Sequence, residues 1–291
     1  MQRLPEYLKR PIIDTEKTKT VRHILKNKCL NTVCDGARCP NKSECYSKNT
    51  ATFLIMGNVC TRNCRYCNIQ TAKPKPLDIN EPQHLAEAVS ALGLKYVVIT
   101  SVTRDDLPDG GAEHFANCIN KIRELNKEIK IEILTPDFKG KKDALDIIIK
   151  ARPEVFNHNI ETVKLLFKTA RPQGRYDNSI EVLSYIKNNS DIITKSGLMV
   201  GLGEDAEEIK ETLIDLKNAG VDIITIGQYI QPSKEHLPVS KYYTLDEFEE
   251  LKNLAKEIGF KNYQIGPLVR SSYKAAFSYS LSSTDFPAIQ I

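Results

Sequence analysis

Residues 51–265 alternate between two hydrophobic rhythms. Thr52–Met56, Tyr96–Thr100, Ile131–Leu134 and Ile223–Ile226 are short, continuous apolar runs, the pattern of strands buried on both faces of a parallel sheet. Between them, apolar residues fall at helical spacing. Leu85, Ala88, Val89 and Leu92 follow Asn80, a capping residue, and stop at Gly93. Ala112, Phe115, Ile119, Ile122 and Leu125 follow Gly111, and Ala206, Ile209, Leu213 and Leu216 end before Gly220. Thr244 with Glu247 forms a capping box. It opens a helix bearing Leu245, Phe248, Leu251, Leu254 and Ile258, with Gly259 placed to close it. This alternation predicts an α/β fold of about six or seven units with right-handed crossovers. Residues 1–50 lack a clean period, contain Pro5 and Pro11, and read as an N-terminal extension.

Composition adds little to that picture. The chain has 291 residues, 41% apolar and 27% charged, and a formal net charge of +4, as expected of a soluble globular protein and not of a disordered chain. No Lys/Arg block suggests a nucleic-acid partner, and no run approaches the roughly 18 apolar residues of a membrane span. The opening MQRLPEYLKRPIID has no apolar signal core, so a cytoplasmic protein with neither membrane nor nucleic-acid partner is expected.

The cysteines change the picture. There are eight, at 29, 34, 39, 45, 60, 64, 67 and 118, and seven of them fall between Cys29 and Cys67. A long chain with ample core residues does not need a disulfide scaffold, so metal is the better reading. Cys60, Cys64 and Cys67 form C-x3-C-x2-C on a loop just past the carboxyl end of the Thr52–Met56 strand. Three close thiolates can grip three corners of a 4Fe-4S cubane and leave one iron open to substrate or cofactor. An electron carrier normally closes all four positions with Cys. Cys34, Cys39 and Cys45 form a second triplet, C-x4-C-x5-C, and Cys29 lies near enough in sequence to close it as a fourth thiolate. Cys118, in a helical pattern, reads as a small buried hydrophobe, and His158 as a hydrogen-bonded structural histidine.

C-x3-C-x2-C resembles the signature of the radical S-adenosylmethionine superfamily. The stretch TVCDGARCPNKSECYSKNTATFLIMGNVCTRNCRYCNI resembles the lipoyl synthase family, as do TSVTRDDLPDGGA, FNHNIETV, KSGLMVGLGE and GPLVRSSYKA. These matches run in order from about Thr32 to Ala275.

The resemblance implies a partial (β/α)6 barrel of the radical S-adenosylmethionine type, with an N-terminal extension carrying an auxiliary iron–sulfur cluster. The expected organisation is residues 1–50 for the extension, 51–265 for the partial barrel and 266–291 for a C-terminal segment that closes the auxiliary site. In such barrels active residues cluster at the carboxyl ends of strands. The Cys60 loop, Ser101–Asp106, Asn157–Glu161, Met199–Glu204 and Gln228–Tyr229 are expected there.

The implied ligands are Cys60, Cys64 and Cys67 for the radical cluster, and Cys34, Cys39, Cys45 and Ser272 for the auxiliary one. Cys29 is then a bystander, and Ser272, the second Ser of Arg270-Ser271-Ser272-Tyr273, is a hard oxygen ligand that would release its iron easily. For S-adenosylmethionine, Asn159 and Glu161 suit the ribose hydroxyls, Arg171 the methionine carboxylate and Ser101 the amino group.

The implied reaction is radical insertion of two sulfur atoms at carbons 6 and 8 of an octanoyl group on a carrier lysine. It uses two 4Fe-4S clusters and two S-adenosylmethionine molecules per lipoyl group, and the auxiliary cluster gives up the sulfur. The implied partners are octanoylated lipoyl-carrier domains (the acyltransferase subunit of a 2-oxoacid dehydrogenase, or the glycine-cleavage carrier protein), a low-potential electron donor and an iron–sulfur cluster supplier. Lys9, Arg10, Lys17, Lys19, Arg22, Lys26 and Lys28 could steer an acidic carrier. The sequence departs from the family at Thr103, where Asp is usual, and at Lys274, where His or Arg is common. A methylthiotransferase, another two-cluster class, is disfavoured by the close 34/39/45 grouping and by RSSY. An electron carrier or zinc-stabilised module is the remaining alternative.

Overall fold

The computed structural model describes residues 3–11 and 13–283, so the last eight residues of the expected C-terminal segment lie outside the described residues. The chain divides into two compact units.

The first unit comprises residues 10–63 and 68–154. It opens with helix α1 (Glu16–Asn27), strand β1 (Asn31–Thr32), the single-turn helix α2 (Val33–Gly36) and helix α3 (Lys42–Ser47). Then come β2 (Thr52–Ile55), β3 (Val59–Cys60), β4 (Gln70–Thr71), α4 (Glu81–Ala91), β5 (Tyr96–Ser101), α5 (Ala112–Leu125), β6 (Lys130–Leu134) and α6 (Lys142–Ala151). Strands run in the order β1-β2-β5-β6. The β2-β5-β6 ladders are parallel, and β1 is an antiparallel edge.

The second unit comprises residues 1–9, 64–67 and 155–291. It holds β7 (Val155–Asn157), α7 (Lys164–Ala170), α8 (Tyr176–Asn189), β8 (Ile193–Val200), α9 (Ala206–Asn218), β9 (Ile223–Gln228), α10 (Leu245–Ile258), β10 (Asn262–Ile265) and α11 (Ala275–Ser282). Its strands pair in chain order and all in parallel. No helix among the described residues is long and apolar enough to cross a membrane.

The four strands and four helices read from the hydrophobic rhythm lie within about two residues of β2, β5, β6, β9, α4, α5, α9 and α10. The apolar runs are the central strands, buried at every position in β2 and β9. The capping box at Thr244 forms as expected, and Gly259 takes φ +96° at the helix end, where a side chain would be strained. Two expected core residues, Leu125 and Leu245, are 50% and 56% exposed. Each is the terminal residue of its helix, where the apolar stripe runs off the packed surface. The extension is more regular than its sequence suggests. α1 is a 12-residue helix capped by Thr15 and Thr18, and it buries only Thr18, Val21 and Leu25 among basic residues.

A candidate iron–sulfur and nucleoside site

The first cysteine triplet is built locally. The Thr32 side chain caps α2, its Oγ1 accepting from Asp35 N at 3.2 Å, and α2 carries Cys34. Cys39 N donates to Cys34 O at 3.0 Å, which turns the chain back. Cys45 N donates to Asn41 O at 2.9 Å inside α3. A polar knot braces the turn: the buried Thr32 Oγ1 and Tyr46 Oη each donate to Asp35 Oδ2 at 2.7 Å. Burial pushes the Cys34 thiol up to about 12 against opposing hydrogen bonds from Thr52, with Cys39 and Asp35 adding to the rise. Burial also pushes Cys45 up to about 12, and charge on Cys34 and Cys39 adds to it. Cys34 and Cys45 thus feel the charge of the neighbouring cysteines, in places hostile to bare thiolates. That suits ligands to a shared inorganic centre that brings its own positive charge. Among the described residues no three His, Cys, Asp or Glu groups converge as the donors to one tetrahedral ion do. Cys29 is exposed, with φ +53°.

Cys60, at the end of β3, is held by quite different means. Its Sγ accepts two backbone hydrogen bonds, from Arg62 N at 3.4 Å and from Thr103 N at 3.3 Å. Thr61 is laced to the loop after β5: Thr61 N and Oγ1 both donate to Thr103 O, and Asp105 N donates to Thr61 Oγ1 at 3.0 Å. Ser101 ends β5 as expected, and its Oγ is buried without a hydrogen-bond partner among the described residues. A buried hydroxyl left unpaired costs about 1–3 kcal/mol, the condition of a group waiting for a ligand.

In the second unit, Cys67 N closes a turn on Cys64 O at 3.0 Å. His236 Nε2 lies 3.0 Å from the Cys67 carbonyl oxygen, and its Nδ1 lies 2.8 Å from Ser233 Oγ. A carbonyl can only accept, so Nε2 carries the proton and Nδ1 accepts from Ser233. Leu237 N donates to Arg65 O, and Arg65 N to Ala170 O, so the turn is pinned on both sides.

Asn159, Glu161 and Arg171 come together in this unit. Arg171 NH1 donates to the Asn159 carbonyl at 3.0 Å. Burial raises the Glu161 carboxyl, while Arg171 and a hydrogen bond from Asn159 draw it down. Glu161 sits at φ +72°, strained for a non-glycine residue, and is locked to β8 through Glu161 N to Gly197 O and Met199 N to Glu161 O, both 2.9 Å. Asn159 Nδ2 donates to Ser271 Oγ at 2.9 Å, and its Oδ1 is buried without a partner among the described residues. Gly197 faces that oxygen. A Cβ there would lie 2.5 Å from Thr225 Oγ1 and 3.0 Å from Asn159 Oδ1, so only glycine lets the two side chains pack this close to β8. An orphaned buried amide oxygen, a recessed carboxylate and a buried guanidinium suit a polar nucleoside bearing an amino-acid tail. Tyr66 is half-buried beside the same groups; desolvation of its hydroxyl pushes it well up, and charge on Glu161 and Cys64 raises it further. Ser272 is half-buried in the turn between β10 and α11, where Tyr273 N donates to Arg270 O at 2.9 Å.

His158 and Cys118 are structural as expected. His158 Nε2 lies 3.0 Å from Ser179 Oγ, and Cys118 is fully buried in α5. The Gly201–Gly203 turn binds the chain's own Glu204, whose carboxylate accepts from the backbone N–H of residues 201, 202 and 203. Sequence reasoning missed Arg62, Tyr66, Ser271 and His236. Arg62 and Tyr66 lie inside the cysteine motif and Ser271 inside RSSY, but His236 stands 169 residues from Cys67 with nothing nearby to mark it.

Comparison with known proteins supplies the family. The model of the radical SAM superfamily matches residues 54–216. A lipoyl synthase of Caldicellulosiruptor saccharolyticus is 53% identical over 272 residues, covering 93% of this chain and 95% of the relative. Lipoyl synthase 2 of Gloeobacter violaceus is 52% identical over 274 residues, covering 94% and 95%. Among solved structures, methylornithine synthase superposes with a TM-score of 0.54 at 14% identity, over 84% of this chain and 74% of that one. Coproporphyrinogen III oxidase of Escherichia coli superposes with a TM-score of 0.52 at 13% identity, over 77% and 57%. These two bear on the fold alone, which is the radical SAM α/β fold with mostly parallel strands. The near full-length relatives establish lipoyl synthase function, a radical SAM sulfurtransferase activity that works with 4Fe-4S clusters and S-adenosylmethionine. The chain belongs to the lipoyl synthase family.

Proposed function

We propose that Cys60, Cys64 and Cys67 hold the cluster that cleaves S-adenosylmethionine, and that Cys34, Cys39, Cys45 and Ser272 hold the auxiliary cluster consumed as sulfur donor. The observation that carries the proposal is the contrast between the two thiol groups. Cys34 is buried on a capped helical turn with Cys39 and Cys45 half-buried close behind it, while in the other triplet two backbone N–H donors are aimed at Cys60 Sγ. When bound, the clusters and S-adenosylmethionine supply the one-electron cleavage, hydrogen abstraction and sulfur transfer.

This chain's residues bind and orient. Ser101 Oγ, Asn159, Glu161 and Arg171 receive the amino-acid and ribose groups of S-adenosylmethionine. The orphaned oxygens gain partners on binding, and Arg171 opposes a carboxylate. Residues 1–50 form the auxiliary-cluster extension, 51–265 the radical core and 266–291 the segment that brings RSSY. The substrate is an octanoyl-lysine on a lipoyl-carrier domain, and the enzyme is cytoplasmic, served by a low-potential reductant and a cluster supplier. Four of the seven basic residues that could steer the carrier pair with acids: Lys9 with Glu6, Lys19 with Glu16, Arg22 with Asp14 and Lys28 with Glu87.

The test is anaerobic reconstitution followed by incubation with an octanoyl-lysyl peptide, S-adenosylmethionine and reductant, with mass spectrometry of both products. Cys60→Ala should abolish adenosyl product and sulfur gain. Cys34→Ala should abolish sulfur gain and retain S-adenosylmethionine cleavage. Sulfur gain by Cys34→Ala would overturn the assignment.

A further inference from the structure

Arg62 lies between two cysteines of the radical motif and is 4% exposed. Its guanidinium is gripped on two sides. Nε donates to Asp105 Oδ2 at 2.7 Å and NH2 to Asp105 Oδ1 at 3.0 Å. NH1 donates to Asp137 Oδ2 at 2.8 Å and NH2 to Asp137 Oδ1 at 2.7 Å. Asp137 is itself buried, and both carboxylates are tied down further: Lys139 N donates to Asp137 Oδ1 at 3.0 Å, and Lys139 Nζ stands 3.8 Å from Asp105 Oδ1. Asp105 and Asp137 lie on the loops after β5 and β6, so one side chain from the loop after β3 knits three loops together. The Arg62 carbonyl accepts from Thr71 Oγ1 at 2.9 Å, which fixes its backbone as well.

A buried ion triad is a poor way to gain stability, because desolvation offsets most of the attraction and apolar packing often does as well. What such a triad does supply is geometry, since a planar fork between two carboxylates has one acceptable arrangement. Here that geometry ends on a sulfur. The Arg62 N–H donates to Cys60 Sγ, and the second donor, Thr103 N–H, belongs to the segment that Asp105 and Thr61 tie to the Arg62 loop. Hydrogen bonds to thiolate sulfur draw charge from an iron–sulfur cluster and make it easier to reduce.

We infer that Arg62 is a positioning residue that, clamped by Asp105 and Asp137, holds two N–H donors on Cys60 Sγ and so sets how readily the radical cluster accepts its electron. This rests on Cys60 being a ligand of that cluster. Arg62 touches neither substrate nor cofactor in this account; it acts through Cys60.

The test uses the full-length chain with both clusters reconstituted, comparing Arg62→Lys and Asp105→Asn with wild type. The radical cluster is recognised as the one whose electron paramagnetic resonance signal changes on adding S-adenosylmethionine. Its midpoint potential is read by redox titration, beside iron content and the melting temperature of the cluster-free protein. Lysine keeps the charge but cannot fork, so Arg62→Lys should lower the reduced-to-oxidised ratio at fixed potential roughly tenfold, equivalent to ~59 mV for one electron. Asp105→Asn keeps both bonds to Asp137 and should shift the potential the same way by less. If Arg62→Lys folds but loses only the S-adenosylmethionine-responsive cluster, the clamp is also supported. Wild-type potential and signal in Asp105→Asn would overturn the proposal, whatever happens to melting temperature and even if Arg62→Lys fails to fold. Cys60→Ala serves as the control: persistence of the responsive signal there would refute the ligand reading instead of the clamp.

Discussion

The two cysteine triplets have the same three-thiol chemistry and opposite construction. Around Cys34, Cys39 and Cys45 almost every brace comes from within 15 residues: the Thr32 cap, the Thr32–Asp35–Tyr46 knot and the helical bonds of α2 and α3. Around Cys60, Cys64 and Cys67 the braces come from far along the chain. Asp105 lies 43 residues from Arg62 and Asp137 lies 75, while His236 lies 169 from Cys67. Local contacts need little loop closure and can form early and independently. Distant ones form only when the rest of the fold is in place. The first triplet is therefore a self-shaped module, and the second takes its shape from the parallel-stranded scaffold. That division fits the proposal that the first triplet holds the cluster consumed as sulfur donor and the second holds the one that cleaves S-adenosylmethionine.

If remote braces shape the second triplet, removing one should injure it and spare the first. His236→Ala removes the donor to the Cys67 carbonyl and unseats Ser233 as well. A lost outer-shell partner of a metal site typically costs 10–100-fold in metal affinity or activity. Reductive cleavage of S-adenosylmethionine should fall by roughly that factor, while iron bound at Cys34, Cys39 and Cys45 stays at the wild-type level. His236→Asn, whose amide can still donate, should recover part of the loss. Equal iron loss from both triplets would erase the distinction drawn between them.

The converse substitution is Tyr46→Phe. Tyr46 is fully buried, and its hydroxyl donates to Asp35 Oδ2 at 2.7 Å and stands 2.9 Å from Thr32 Oγ1. Removing a hydrogen bond to a charged acceptor costs about 1.5 kcal/mol, or a factor of ten in a local opening equilibrium. Under a chelator, iron should leave the first triplet about tenfold faster, and the S-adenosylmethionine-responsive signal should persist. A uniform drop in melting temperature without selective iron loss would show that the knot is not local.

The same contrast explains what could be read from the sequence. Strands, helix caps and the first triplet were legible because their determinants are periodic or adjacent: TFLIM for β2, Thr244 with Glu247 for the start of α10, the cysteine spacings themselves. α1 escaped because Val21 and Leu25 are too few among lysines to display a period, though a three-residue Thr15–Thr18 cap was there to see. For the second triplet the spacing of the thiols was visible and the means of holding them was not. Asp137 and His236 have meaning only once the chain has folded, since one carboxylate or one imidazole in a loop carries no pattern. Asn159, Glu161 and Arg171 were picked by resemblance; their proximity in the structure adds the strained Glu161 backbone and the bond to Ser271, neither of which a linear reading contains.

Lys42→Ala should have the smallest effect, and it isolates burial from bond type. Both triplets have an ion pair at their side: Lys42 Nζ to Asp35 Oδ1 at 2.9 Å beside the first, and Arg62 NH2 to Asp137 Oδ1 at 2.7 Å beside the second. The distances differ little, but the surroundings differ greatly. Lys42 and Asp35 are 34% and 55% exposed, and Arg62 and Asp137 are 4% and 2%. An exposed pair is screened by water and ions and gives up side-chain entropy to form, so it is worth about 0–1 kcal/mol. Asp35 keeps its bonds from Thr32 and Tyr46 when the lysine is gone, so no carboxylate is stranded. Lys42→Ala should change melting temperature by no more than a degree or so and leave iron retention at the first triplet within experimental scatter. Raising the salt concentration should remove even that small difference, whereas salt should leave the Arg62 clamp untouched. A large, salt-sensitive loss of iron in Lys42→Ala would mean that the first triplet depends on its surface charge and not on the bonds from Thr32 and Tyr46 to Asp35.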